Sequence, residues 1–346
     1  MNNRLPVTAK TAIVPPLSTF PGGTPVKFVS SLIVALLLAA VPAFAGEKLV
    51  YVGTANISIL PIVAAEKGFF AEEGLEVEMQ LVQTGKLCME ALLAERADFG
   101  TLVATNFAYA GFQTDHLRLL ASYGLSLDDA VVMPSSSPIH TVADLKGRRI
   151  GLAPSTSSQA FLSSLLEKNG MAYSDVTIVA LQPPTLLPAL TGGQVDAVVT
   201  WQPWRYAIAA GLEGGTREIN NTADIYPRRN FLASTAERLE QHKASVPALL
   251  RALLKAEAFV NAHPDETAQI FAQKVGQAPE AVKTYMISHH MEINDSILPL
   301  ITYSGQWAID HQADFAGKTL PDYSVNLAPD YLLAVAPDRV TLEEKQ

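Results

Sequence analysis

The chain is 346 residues long, with 49% apolar and 8% aromatic residues. That is ordinary globular composition and enough length for one large or two modest domains. Arg4, Lys10 and Lys27 are the only charged residues before residue 46, so the remainder holds 22 basic against 34 acidic residues, a net charge of −12. Such an acidic chain is a poor candidate for nucleic-acid binding, and its single cysteine, Cys88, excludes a disulfide framework.

Lys27 leads into an uninterrupted apolar run from Leu32 to Val41, closed by Pro42, Ala43, Phe44 and Ala45. This is the n-region, h-region and A-x-A cleavage signal of an exported protein, and the run is short for a membrane span. Residues 1–45 are expected to be a signal peptide cleaved after Ala45. The mature protein is expected to be soluble and periplasmic, with Cys88 as a small buried apolar residue.

The mature chain opens with an extended segment over residues 48–53, then the turn Thr54, Ala55, Asn56, Ile57 and Ser58. Ile59, Ile62, Val63, Phe69 and Phe70 recur at helical spacing until Gly74, and residues 75–82 alternate as a strand does. Thr84 and Gly85 open a second helix, residues 97–103 form a third strand, and Ala104, Thr105 and Asn106 open a third helix. This alternation predicts an α/β lobe with a mostly parallel sheet. Residues 118–133 turn extended, like strands leaving that lobe, and residues 134–138 have boundary composition.

The pattern then restarts. A short strand over residues 150–153 runs into Pro154, Ser155, Thr156, Ser157 and Ser158. Side-chain oxygens and a missing N–H suit the unpaired donors of a helix start, and the same turn suits a bound anion. Gly170 stops that helix, and strands over 176–180 and 195–200 follow, separated by a helix over 184–189. Trp201, Gln202, Pro203 and Trp204 come next. Asp98 and Asp196 correspond at an offset of 98 residues, and Gly74 and Gly170 at 96, which marks an internal repeat. Two similar lobes predict a cleft between them.

Residues 231–234 read as a strand returning to the first lobe. Beyond them the pattern is helical, with Leu249, Leu250, Leu253, Leu254 and Val260 on one face and Trp307 in a helix over about 295–315. The expected division is lobe 1 from 46–130 with 231–346, and lobe 2 from 131–230. No G-x-S-x-G, H-E-x-x-H or C-x-x-C motif occurs. His289 and His290, read as neighbours on a helix, would diverge by about 100° and make no helical metal pair. No catalytic residue, metal or cofactor is expected.

The ordered set of motifs resembles the periplasmic solute-binding proteins of ABC importers, in the nitrate/sulfonate/taurine branch that includes thiamine-precursor binders. Ala64 to Phe70 leading to Gly74, Leu75, Glu76 and Val77 is similar to that family's first helix and second strand. Asp98, Phe99 and Gly100 resemble its D-[IF]-G strand, and Asp144 to Gly151 its entry into the second lobe. Gly192 to Ala197 with Trp201, Gln202 and Pro203 resemble its W-x-P turn. Many members carry an acid where Gln202 stands.

The resemblance implies two α/β lobes of the type II binding-protein fold, joined by a two-segment hinge near residues 123–131 and 231–234. It implies ligand capture in the cleft and delivery to a permease and its ATPase, by a protein expected to be monomeric. The turns placed above are then the candidate site. In lobe 1 they supply Thr54, Asn56, Ile57, Thr84, Gly85, Thr105 and Asn106; in lobe 2, Ser155, Thr156, Ser157, Ser158, Trp201 and Gln202. Hydroxyl and amide groups beside an aromatic face suit a small organic anion of the sulfonate, nitrate or taurine class. Arg228 and Arg229, near the return strand, are further candidates as an anion clamp, with a pair of adjacent surface arginines as the alternative. Two other roles fit the same fold: presenting ligand to a membrane receptor, and a thiamine-pyrimidine-synthase-like enzyme, which would need a cysteine cluster.

Overall fold

The computed structural model describes residues 46–220, 225–226, 228–283 and 289–343. The expected signal peptide, residues 1–45, lies outside the described residues. Two five-stranded mixed sheets organise the rest. The first contains β1 (Glu47–Thr54), β2 (Leu75–Val82), β3 (Phe99–Val103), β4 (Leu117–Ser126) and β10 (Arg228–Thr235), in the order β2-β1-β3-β10-β4. The second contains β5 (Ala130–Pro134), β6 (Arg149–Leu152), β7 (Thr177–Ala180), β8 (Ala197–Thr200) and β9 (Thr216–Ile219), in the order β7-β6-β8-β5-β9. In each sheet three parallel strands are followed by one that runs against them and by an edge strand antiparallel to that one.

This shared topology is the internal repeat. β1, β2 and β3 match β6, β7 and β8, while β5 and β10 occupy equivalent places although each arrives on a chain crossing from the other sheet. The aspartates at offset 98 do the same work in each. Asp98 accepts the Val50 backbone N–H at 2.7 Å, and Asp196 accepts that of Arg149 at 2.8 Å. Each thereby ties the start of its third strand to the first strand of its sheet. Gly74 and Gly170 adopt φ of 77° and 71°, the left-handed conformation that ends a helix and that glycine enters without strain.

Helices of the first half are α1 (Ile59–Glu66), α2 (Phe69–Glu72), α3 (Gly85–Leu93) and α4 (Ala104–Gly111). The second sheet carries α5 (Ser157–Lys168), α6 (Leu186–Thr191) and α7 (Trp204–Gly211). After β10 come α8 (Ala236–Gln241), α9 (Val246–Ala262), α10 (Pro264–Val275), α11 (Pro279–Lys283), α12 (Ile297–His311) and α13 (Pro329–Leu333). Pro247 sits in the first turn of α9, where its missing N–H costs nothing. The predicted face of Leu249, Leu250 and Leu253 is fully buried against the core, at roughly 1.5–3 kcal/mol per side chain.

The C-terminal segment closes on the first sheet. Ala328 N–H donates to the Leu119 carbonyl, and Tyr323 Oη donates to the Ala108 carbonyl at 3.0 Å. A two-stranded parallel sheet, β11 (Ile293–Asn294) with β12 (Val340–Thr341), lies beside it. The strand expected over residues 231–234 begins earlier, at Arg228. The helix expected around His289 and His290 is not formed there: Ser122 and Glu292 exchange both backbone hydrogen bonds, and the buried Glu257 carboxylate accepts the Met291 N–H. Those tertiary bonds hold the segment extended. Among the described residues no helix is long and apolar enough to cross a membrane.

Candidate functional site

Turns from both sheets meet at one cavity of about 20 Å³, lined by Thr54, Asn56, Ile57, Gly85, Val103, Asn106, Thr156, Ser157, Trp201 and Arg228. Eight of the thirteen residues expected at the site account for eight of these ten positions, and Val103 and Arg228 make up the rest. Thr84, Thr105, Ser155, Ser158 and Gln202 are not among the lining residues. That volume is near that of a single water and smaller than an organic solute.

Each turn is built by local bonding. Thr54 Oγ1 donates to Asn56 Oδ1 at 2.8 Å, which folds the end of β1 over the cavity. Thr84 caps α3 by accepting the Leu87 N–H at 3.3 Å. It is therefore a cap, and Gly85 behind it reaches the cavity. A Cβ on Gly85 would lie 2.0 Å from Asn106 Oδ1, so the glycine is what lets the Asn106 amide lie across the start of α3. Asn106 is 2% exposed and sits in the first turn of α4, which has no side-chain cap. Thr105 is fully buried behind it.

The start of α5 departs from simple capping. Ser155 takes a φ of 57°, and its N–H donates to Gln159 Oε1 at 2.9 Å. Thr156 occupies the cap position, yet its hydroxyl turns back to the Ala153 carbonyl at 2.7 Å. Ser157 and Ser158 both donate to one acceptor, Asp129 Oδ1, at 3.2 and 3.4 Å. The anion at this helix start is a carboxylate of the chain itself.

Asp129 belongs to a buried triad. Arg228 Nη1 donates to Asp129 Oδ2 at 2.8 Å and to Ser157 Oγ at 2.8 Å, while Nη2 bonds Asp128 Oδ1. Asp128 Oδ2 also accepts the Gln202 N–H at 3.1 Å and Asn56 Nδ2 at 3.4 Å. Arg205 Nη1 donates to the Asp128 carbonyl at 2.7 Å and is itself paired with Glu218. Asp128 and Asp129 lie between β4 and β5, and Arg228 starts β10. The triad therefore joins the two chain segments that cross between the sheets and touches the cavity through Arg228.

Burial pushes the Asp129 carboxyl up to about 6; Arg228 opposes that rise and Asp128 adds to it. For Arg228, burial works against the charge, but Asp128 and Asp129 outweigh it and hold the guanidinium above its ordinary pKa. Its Nε–H is buried with no partner among the described residues.

Arg228, weighed from sequence as a clamp, thus reaches the site. Arg229 does not: it pairs with Glu292 at 2.8 Å. Trp201 lines the cavity, whereas Trp204 opens α7 away from the lining residues. Asp128 and Asp129 carry the site's electrostatics, yet the sequence pattern marks Asp129 only as a strand start. Two adjacent acids entering an apolar β-branched strand were the available signal, since such acids need a buried partner. Among the described residues no group of three or more metal-ligating side chains occurs. Cys88 is fully buried in α3, and burial pushes its thiol up.

The sequence model of the family described as NMT1/THI5 like matches residues 56–267. The taurine-binding periplasmic protein of Escherichia coli (strain K12) is 26% identical over 210 residues, covering 59% of this chain and 63% of the relative. The fold is that of the alkanesulfonate-binding protein SsuA from Xanthomonas axonopodis pv. citri, solved bound to MOPS. The TM-score is 0.71 at 20% identity, over 82% of this chain and all of that one. The desulfurization enzyme DSZB also shares it, with a TM-score of 0.65 at 18% identity over 84% of this chain and 99% of that one.

Proposed function

The chain belongs to the NMT1/THI5-like family, and from that premise we propose that it is a periplasmic solute-binding protein that captures a small organic anion between its lobes and hands it to an ABC permease. The lobes would be residues 46–130 with 231–346, and residues 131–230. The observation that carries this reading is the convergence on one cavity of three helix starts, α3 and α4 from the first sheet and α5 from the second. Each contributes about half a positive charge, which with Arg228 exceeds the charge of Asp128 and Asp129 by about half a unit. Trp201 supplies an apolar face for the body of the ligand. Taurine- and alkanesulfonate-binding relatives support a sulfonate head.

Function on this reading is hinge closure. The ligand would touch both lobes only when they are closed, so it would shift the population toward the form a permease reads. The likeness to a desulfurization enzyme raises catalysis as a second reading, but the one cysteine of this chain is buried in α3 with its thiol held protonated, and supplies no nucleophile to the cavity. A thermal-shift screen of the purified protein against alkanesulfonates, taurine, nitrate, carboxylates and thiamine precursors tests the proposal, because a ligand that binds the folded state raises Tm. Stabilisation by organic anions supports it. Stabilisation by neutral or cationic solutes alone would replace it.

A further inference from the structure

We infer that Asp129 is the specificity-determining charge of the cleft, limiting the ligand's head to a single negative charge and rejecting dianions. This rests on the reading of the cavity as an anion site. Asp129 is fully buried just before β5, and its carboxylate meets the first turn of α5, where Ser157 and Ser158 donate to its Oδ1 while Arg228 donates to its Oδ2. A head that touches Ser157 at the cavity wall would therefore stand about two hydrogen-bond lengths from a fixed carboxylate. At that separation, away from water, like charges repel strongly.

The surroundings leave little to offset a second charge. Arg228 is shared between Asp129 and Asp128 and cannot neutralise both. Arg205, from α7, reaches the Asp128 carbonyl, but its charge is engaged by Glu218 on β9. Tyr226, just before β10, is buried nearby and its hydroxyl is held protonated, so it brings no charge. The surplus of about half a positive charge left by the helix starts is offset by a single negative charge and overrun by a second. Ser157 and Arg228 line the cavity and transmit the effect, while Asp129 sits behind them.

The test compares sodium sulfate, a dianion, with sodium butanesulfonate, a monoanion, by calorimetry at constant ionic strength. Wild-type protein at about pH 7.5 is expected to bind butanesulfonate and to bind sulfate at least tenfold more weakly. Asp129→Asn keeps the side-chain shape and removes the charge, and should improve sulfate affinity relative to butanesulfonate at least tenfold. Protonation should act like the substitution. Wild-type affinity for sulfate, which stays doubly charged in this range, should rise as pH falls from about 7.5 to about 5 through the Asp129 titration near 6, and Asp129→Asn should abolish that rise. A folded Asp129→Asn variant with an unchanged sulfate-to-butanesulfonate ratio overturns the inference. If that variant does not fold, a flat wild-type sulfate affinity between those pH values overturns it equally. Gain of sulfate binding in a protein that binds no sulfonate would uphold the charge selection and reject the sulfonate reading.

Discussion

Arg228 Nη1 lies 2.8 Å from Asp129 Oδ2, with the arginine 2% exposed and the aspartate fully buried. The pair spans the two strands that cross between the sheets, so the residues that set the cavity's charge also join its halves. Removing one partner of a buried ion pair leaves an unsatisfied charge and costs about 3–5 kcal/mol. Arg228→Met should destabilise the protein by about that much in urea denaturation. Replacing Asp128 and Asp129 by Asn in the same chain should recover part of the loss. A single Arg228→Met variant as stable as wild type would remove the triad from the account.

Gly85 makes room for Asn106. A methyl group at Gly85 would meet Asn106 Oδ1 at 2.0 Å, and the side-chain amide would have to swing out of the cavity. Alanine at this helix start gains about 0.5–1 kcal/mol from reduced backbone freedom. Gly85→Ala should therefore leave stability within about 1 kcal/mol of wild type while weakening ligand binding at least tenfold by titration calorimetry. Full affinity in this variant would mean that Asn106 does not touch the ligand.

The Asp129 carboxyl, pushed up to about 6 by burial, binds its proton more tightly folded than unfolded. Stability from that proton is complete below the ordinary carboxylate range, near 4, and is lost as pH rises through about 6. Melting curves of wild type and Asp129→Asn should thus diverge between about pH 4 and pH 6, the wild type losing stability relative to the variant as pH rises. A constant difference in Tm across that window would contradict the assignment.

Tyr303 on α12 carries its hydroxyl 3.1 Å from Ser164 Oγ on α5, and Gln277 Nε2 donates to the Pro203 carbonyl at 3.3 Å. Both bonds tie the C-terminal helices to the half of the chain that holds the second sheet. Tyr303 is 44% exposed, so losing its hydroxyl should cost no more than about 1 kcal/mol of stability. If the closed form depends on the contact, Tyr303→Phe weakens ligand affinity a few-fold through the closing equilibrium. Unchanged affinity would mean that closure is independent of α12.

Much of the architecture was legible because it repeats. Asp98 and Asp196, and Gly74 and Gly170, recur at nearly one spacing since each pair does the same job in a sheet of the same topology. The turns of the site were legible because hydroxyl, amide and glycine residues at helix starts carry local signals. The triad was not, because the role of Asp129 is set by Arg228, 99 positions away, and no local pattern encodes that pairing. His289 and His290 failed for a related reason: tertiary bonds from Ser122 and Glu257 hold the adjoining residues extended in spite of their helical pattern.

Binding of an organic anion in the cavity between the two sheets, against Trp201, is the property on which the proposed function turns. Its most direct measurement is titration of the protein and its Trp201→Ala variant with butanesulfonate by isothermal calorimetry. One saturable site per chain, weakened at least tenfold in the variant without loss of fold, is the predicted result. Absence of saturable binding for butanesulfonate and taurine alike, or equal affinity in the two proteins, would contradict it.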